Sequence, residues 1–109
     1  MAEKPKLDRQ AMCDRLAMEF QDEWIVNLGV GMPTLCSNYV DPNKNIIFHS
    51  ENGVIGHGPL AAKGQEDRHL INASSQHVTV RPGMAIVHHA ASFALIRSGM
   101  VDVTVMGAY

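Results

Sequence analysis

Two short apolar runs, Trp24–Leu28 and Ile46–His49, each give way at once to a glycine-containing turn. No other feature restricts the fold as much. Runs this short and this uniformly apolar do not make surface helices. They read as strands buried on both faces, the pattern of a parallel sheet. The first run enters Gly29-Val30-Gly31-Met32-Pro33-Thr34. Its glycines permit a sharp turn, and Pro33 suits the first turn of a following helix. The second enters Ser50-Glu51-Asn52-Gly53, with Gly56 and Gly58 close behind. That arrangement presents one acidic side chain at the end of a buried strand.

The surrounding periodicity fits alternating helices and strands. Met12, Leu16 and Phe20 are spaced for one helix face, flanked by Cys13 and Ala17, so a helix is expected from Leu7 to about Gln21-Asp22. A short helix is expected over Thr34–Tyr39 and a surface loop over Lys63–His69. His77–Val80 and Ala85–His88 read as strands, and Ala90–Arg97 as a helix stopped at Gly99. Val101, Val103 and Val105 alternate with Asp102 and Thr104, giving a last strand. The expected class is α/β, three-layered, with a mostly parallel sheet flanked by helices.

Composition narrows the partners. The chain has 109 residues, enough for one domain with a modest core. With 46% hydrophobic and 18% charged residues it is too apolar for a disordered segment. Its net charge is −2 and its basic residues are not clustered, so a nucleic-acid partner is not expected. No run reaches membrane-spanning length, so no membrane association is expected. Cys13 and Cys36 stand in apolar settings outside any CxxC pair. Buried free thiols, and hence a cytoplasmic protein, are expected.

Four kinds of chemistry can be weighed. Backbone N–H groups of Gly29-Val30-Gly31 could hold an anion where a strand meets a helix, but the segment is not GxGxxG and serves equally as a plain turn. The six histidines lack ligand spacing, so no metal site is expected. Ser50 lacks a GxSxG elbow, and Ser92 sits inside an apolar helix in a structural setting. Glu51 has two readings. It is the acidic flank of an Asn-Gly hairpin turn, or it is a carboxylate nucleophile, which is ionised at neutral pH and needs no partner base.

A longer series of motifs bears on that choice. Asn27-Leu28-Gly29-Val30-Gly31-Met32-Pro33-Thr34 and Ser50-Glu51-Asn52-Gly53 closely resemble the B (beta) subunits of family I coenzyme A transferases of the 3-oxoacid (acetate/acetoacetate) type. Gly56-His57-Gly58-Pro59 resembles the family's G-x-GP, and Asp67–Ala73 its D-x-x-LINA. Ser92–Arg97 resembles SFxxIR, and Asp102–Ala108 resembles D-x-T-x-x-GA. The resemblance runs from about Arg9 to Tyr109, which implies a flexible N-terminus over 1–8 and the N-terminal part of a B-subunit-like domain over 9–109.

The resemblance implies that Glu51 attacks an acyl-CoA thioester and comes to carry CoA as a glutamyl thioester before passing it to a second carboxylic acid. Coenzyme A would be a substrate, with no permanently bound cofactor. The oxyanions of such a path need backbone donors. The resemblance implies one at Asn27, with Gly29, Val30 and Gly31 shaping that wall and Ser50, Asn52 and Gly53 shaping the turn. It also implies an A subunit or A domain, and a further glycine-rich stretch beyond the match to Gly107-Ala108. The chain departs from the family at Ser74-Ser75, where Gly-Lys is usual, and at Ser98-Gly99-Met100, where Gly-Gly-His is usual. The alternative is a non-catalytic binding or oligomerisation module, because a sheet ending at Val101–Val105 invites pairing with another chain. A homo-oligomer or bound partner is expected on either reading.

Overall fold

The computed structural model describes residues 5–108. The expected flexible segment over 1–8 therefore lies partly outside the described residues, as does the end of the resemblance at Tyr109. Helix α1 (Arg9–Ala17) starts at Asp8, whose carboxylate accepts from the Ala11 N–H at 2.7 Å. Strand β1 (Ile25–Leu28) leads through the Gly turn into a 3-10 helix (Met32–Asn38) with Pro33 in its first turn. Strands β2 (Ile47–Ser50) and β3 (Val54–His57) form a hairpin. After a long loop come β4 (Ala85–Ile86), α2 (His89–Arg97) and β5 (Val103–Val105).

The sheet order is β4-β3-β2-β1-β5. Strand β1 is parallel to both β2 and β5, while β3 pairs antiparallel with β2 and with β4. The α/β class is as expected, and the sheet is mixed: parallel around β1, antiparallel where the hairpin extends it. Val54–His57 was not expected as a strand. Gly56, with φ of 81°, is the extra residue between the His49↔Ile55 and Phe48↔His57 pairs, so β3 carries a bulge that hides its alternation.

Side-chain alternation along β2 divides the protein into layers. Phe48 faces α1 and the 3-10 helix, in a core with Cys13, Ala17, Phe20, Val26, Leu28, Cys36 and Ile46. His49 faces α2, where it meets Ser92. A smaller cluster of Val54, Leu70 and Val78 lies under the loop.

Several expectations are corrected. Helix α1 ends at Ala17 rather than near Gln21-Asp22, because the Glu19 and Phe20 N–H groups bond three residues back and turn Phe20 into the core. Met12 is exposed, and the buried face is Cys13, Ala17 and Phe20. His77–Val80 is not a strand. It makes only isolated bridges, Leu60↔Val78 and Ile71↔His77. His88 caps α2, accepting from the Ala90 N–H, and His89 lies in the helix. Among the described residues, no helix is long and apolar enough to cross a membrane.

Candidate active site

Parallel strands finish at one edge of a sheet, and that edge is where α/β folds place crevices. Here β1, β2 and β5 end together. They enclose a cleft of about 740 Å³, lined by Asn27 and Gly29–Pro33 after β1, Glu51 after β2, and Thr104 and Met106–Ala108 around β5. Arg9, at the start of α1, completes the lining and is its sole basic residue among the described residues. The structure thus brings Glu51 together with Asn27, Gly29, Val30 and Gly31, which are distant in sequence.

Glu51 opens a three-residue hairpin loop closed by the Ser50↔Val54 pair. The Gly53 N–H donates to Ser50 O at 3.0 Å. Gly53 has φ of 116°, and a β-carbon there would lie 2.2 Å from Val87 O. Its own carbonyl accepts from the Val87 N–H at 2.8 Å. Asn52 anchors the other side, its amide donating to Ile71 O at 2.8 Å. The Glu51 side chain is half-buried and accepts no hydrogen bond among the described residues.

The first wall spends most of its backbone donors within the fold. The Gly29 N–H donates to Val105 O at 2.9 Å, extending the β1–β5 ladder. The Gly31 N–H donates to Ser74 Oγ at 2.8 Å. Asn27 pairs opposite Thr104, and residues two apart on a strand address the same neighbour, so its N–H faces β5. The Gly29 and Gly31 N–H groups are thus bonded within the fold. Val30 keeps a backbone N–H with no partner among the described residues. Ser74, one of the departures from the family pattern, holds this turn, and it also lies 3.2 Å from Thr34 Oγ1.

Behind Glu51 lies a polar chain that sequence reasoning missed. Asn27 and His49 are register partners on β1 and β2, and Asn27 Nδ2 sits 2.8 Å from His49 Nδ1. His49 Nε2 sits 2.9 Å from Ser92 Oγ, and Ser92 Oγ donates to Ser50 O at 3.4 Å. His49 and Ser92 are both 0% exposed. Burial holds the His49 imidazole below its ordinary pKa of 6.5. The Glu51 carboxylate opposes that shift, and His57 adds to it. The only sequence signal was the position of His49 beside the turn. Arg9 was missed because its place in an exposed helix face concealed its proximity to the cleft.

The remaining titratable groups are structural in their contacts. His57 stacks on Phe48 and bonds Gly58 O through Nδ1, and burial lowers its pKa. Cys13 and Cys36 are free and buried. Burial, with the neighbouring Cys13 thiol, pushes Cys36 up to about 12. Among the described residues, no group of three or more His, Cys, Asp or Glu converges on a point that could hold a metal.

Comparison with known proteins bears on this geometry. The family model described as Coenzyme A transferase matches residues 9–109. The chain is 49% identical over 104 residues to the B subunit of 3-oxoadipate CoA-transferase from Pseudomonas putida, covering 95% of this chain and 48% of that relative. It is 45% identical over 100 residues to the mitochondrial succinyl-CoA:3-ketoacid coenzyme A transferase 2B of Mus musculus, covering 92% of this chain and 19% of the mouse protein. The beta subunit of a probable coenzyme A transferase from Bacillus subtilis is 41% identical over 101 residues, with 93% and 46% covered. The chain thus spans about half the length of the bacterial relatives it matches. The family match takes in nearly the whole chain, including both walls of the cleft, and the chain belongs to the coenzyme A transferase family.

Proposed function

We propose that this chain carries the CoA-accepting carboxylate of a coenzyme A transferase, with Glu51 as nucleophile. The observation that carries the reading is the placement of Glu51. It lies at the carboxyl end of β2, its oxygens unbonded, across one cleft from the Gly turn that follows β1.

The chemistry needs no general base. A Glu51 carboxylate oxygen adds to the thioester carbonyl of an acyl-CoA, and the oxyanion collapses with loss of CoA thiolate. The product is a mixed anhydride between Glu51 and the acyl group. The thiolate adds to the Glu51 carbonyl of that anhydride, expelling the acyl group as a carboxylate and leaving a glutamyl-CoA thioester. A second carboxylate attacks this thioester and takes CoA by the reverse sequence. Electrons balance at each step, and the kinetics are ping-pong. The Val30 N–H is the backbone donor this chain offers to a developing oxyanion.

The bacterial relatives are named as B or beta subunits, which supports an A-type partner completing the site. The names of the relatives support short-chain or 3-oxo acids as the acyl class. The buried free thiols support a reducing, cytoplasmic setting.

One observation favours a non-catalytic binding or oligomerisation module. Strand β5 is an edge strand with exposed Met106 beside it, able to pair with another chain.

The test is covalent trapping. The chain, alone and with an A-type partner, is incubated with acetoacetyl-CoA, reduced with borohydride, and mapped by mass spectrometry. Modification at Glu51, lost in Glu51→Gln, is the expected result. Absence of any adduct under both conditions would favour the binding module.

A further inference from the structure

We propose that His49 is the positioning residue of this site: its neutral imidazole links the Asn27 carboxamide to the Ser92 hydroxyl and so clamps the Ser50–Glu51 peptide at the cleft.

The chain of donors fixes a single direction. The Asn27 amide is oriented with Nδ2 towards His49 Nδ1 at 2.8 Å, and in that orientation Nδ2 donates and Nδ1 accepts. An imidazole accepting at Nδ1 carries its proton on Nε2 and donates to Ser92 Oγ at 2.9 Å. The Ser92 hydroxyl, its lone pair engaged, turns its own proton to Ser50 O at 3.4 Å. A protonated imidazole would set an N–H against the Asn27 amide and break the sequence at its first bond.

The placement of these three residues makes the chain useful. Asn27 lines the cleft and belongs to the strand that β2 and β5 flank. His49 lies on the next strand, two residues before Glu51, with no exposed surface. Ser92 comes from α2, also fully buried, and reaches the carbonyl of the residue immediately preceding Glu51. One connected path thus ties β1, β2 and α2 behind the reactive carboxylate. Buried polar groups are costly unless bonded, and here Asn27 Nδ2, both His49 ring nitrogens and Ser92 Oγ each have a partner along the chain. None of the three supplies or removes a proton in the transfer of CoA, so their role is geometric.

This inference rests on the reading of Glu51 as nucleophile, and its test separates the two. In the unmodified chain, ¹⁵N NMR of the imidazoles at neutral pH should show His49 as the Nε2–H tautomer. A Nδ1–H tautomer or an imidazolium would overturn the proposal. In Ser92→Ala, amide exchange at Gly53 and Val87, whose N–H groups bond Ser50 O and Gly53 O, should quicken at least about tenfold over its change at Val26. The rate of Glu51 adduct formation from acetoacetyl-CoA should fall roughly ten- to hundredfold, with half-saturation unchanged within about twofold. Ser92→Thr, which keeps the hydroxyl, should recover most of that rate. Equal changes in exchange at Gly53 and Val26, or an adduct rate like that of the unmodified chain, would refute positioning and leave Ser92 a packing residue. A chain that never forms an adduct defeats the nucleophile reading alone, and the tautomer and exchange results still decide whether the clamp exists. Should Ser92→Ala fail to fold, the tautomer of the unmodified chain decides it.

Discussion

Replacing Gly53 by alanine should damage this protein twice, in stability and at the site. Gly53 has φ of 116°, and its α-carbon faces Val87 so closely that a β-carbon would stand 2.2 Å from Val87 O. Real contacts of that kind begin near 3.0 Å, so backbone must move. Movement strains or breaks the 2.8 Å bond from the Val87 N–H to Gly53 O, which joins the hairpin loop to the segment between β4 and α2. A β-carbon held in that backbone region costs about 1–3 kcal/mol. A lost backbone hydrogen bond adds about 0.5–1.5 kcal/mol. The expected destabilisation is therefore about 2–4 kcal/mol, a large share of the roughly 5–15 kcal/mol typical of a domain.

Gly64 provides the control. Its φ is 89°, but nothing lies within 4 Å of an added β-carbon. Gly64→Ala carries the conformational term alone, so the difference between the two variants reports the contact with Val87. Urea unfolding followed by circular dichroism should place Gly53→Ala below Gly64→Ala by at least about 1 kcal/mol, the worth of the bond at risk. Glu51 trapping should be lost in Gly53→Ala and retained in Gly64→Ala. Equal unfolding midpoints for the two variants would refute the argument that the loop is wedged against Val87.

Other perturbations have defined outcomes. His49 and His57 both have lowered pKa values in the folded protein, so the unfolded chain binds more protons below about pH 6.5. Stability should be full above that pH and fall as pH drops towards the folded values, by up to about 1.4 kcal/mol per pH unit per histidine, read as a declining urea midpoint. Phe20→Ala removes a fully buried ring set edge-on to Phe48 at 6.2 Å and should cost about 3–5 kcal/mol in the same unfolding assay. Arg9→Gln should raise the acyl-CoA concentration needed for half-maximal trapping at Glu51 by roughly two- to fivefold, the worth of one exposed ion pair. That difference should vanish at about 1 M salt, where charges are screened within a few ångströms.

Local patterns made much of this fold legible. Uniform apolarity located β1 and β2, alternation located β5, and helical spacing with Gly99 located α2. The carboxyl end of β2 and the Gly turn were recognisable as two special segments. Their meeting across one cleft depends on β1 and β2 being neighbours in the sheet; uniform apolarity pointed to parallel strands but did not say which strand pairs with which. Strand β3 was missed because the bulge at Gly56 interrupts its alternation. Helix α1 was drawn too long because Phe20 fits the helical spacing, although it reaches the core from a tightened turn. The chain through Asn27, His49 and Ser92 joins residues 22 and 43 positions apart. Each looked ordinary alone: a polar residue in a strand, a histidine before a turn, a serine in a helix.

The two readings of Glu51, turn residue and nucleophile, describe the same geometry. Residues 51–53 form a hairpin loop, with glycine at positive φ where such loops demand it. An unrestrained loop would leave its first side chain to sample many positions. A carboxylate that attacks without a base gains nothing from proton transfer and must rely on placement, and well-placed reactants gain several powers of ten in effective concentration. This loop is fixed on three sides: Gly53 against Val87, Asn52 to Ile71, and the Ser50 carbonyl to Ser92. The fixed peptide leaves the Glu51 carboxylate itself unbonded among the described residues, so the restraint falls on the backbone and not on the side chain. A decorative acidic turn would need none of this. The density of restraint around one free carboxylate is what the proposed nucleophile requires of a common hairpin.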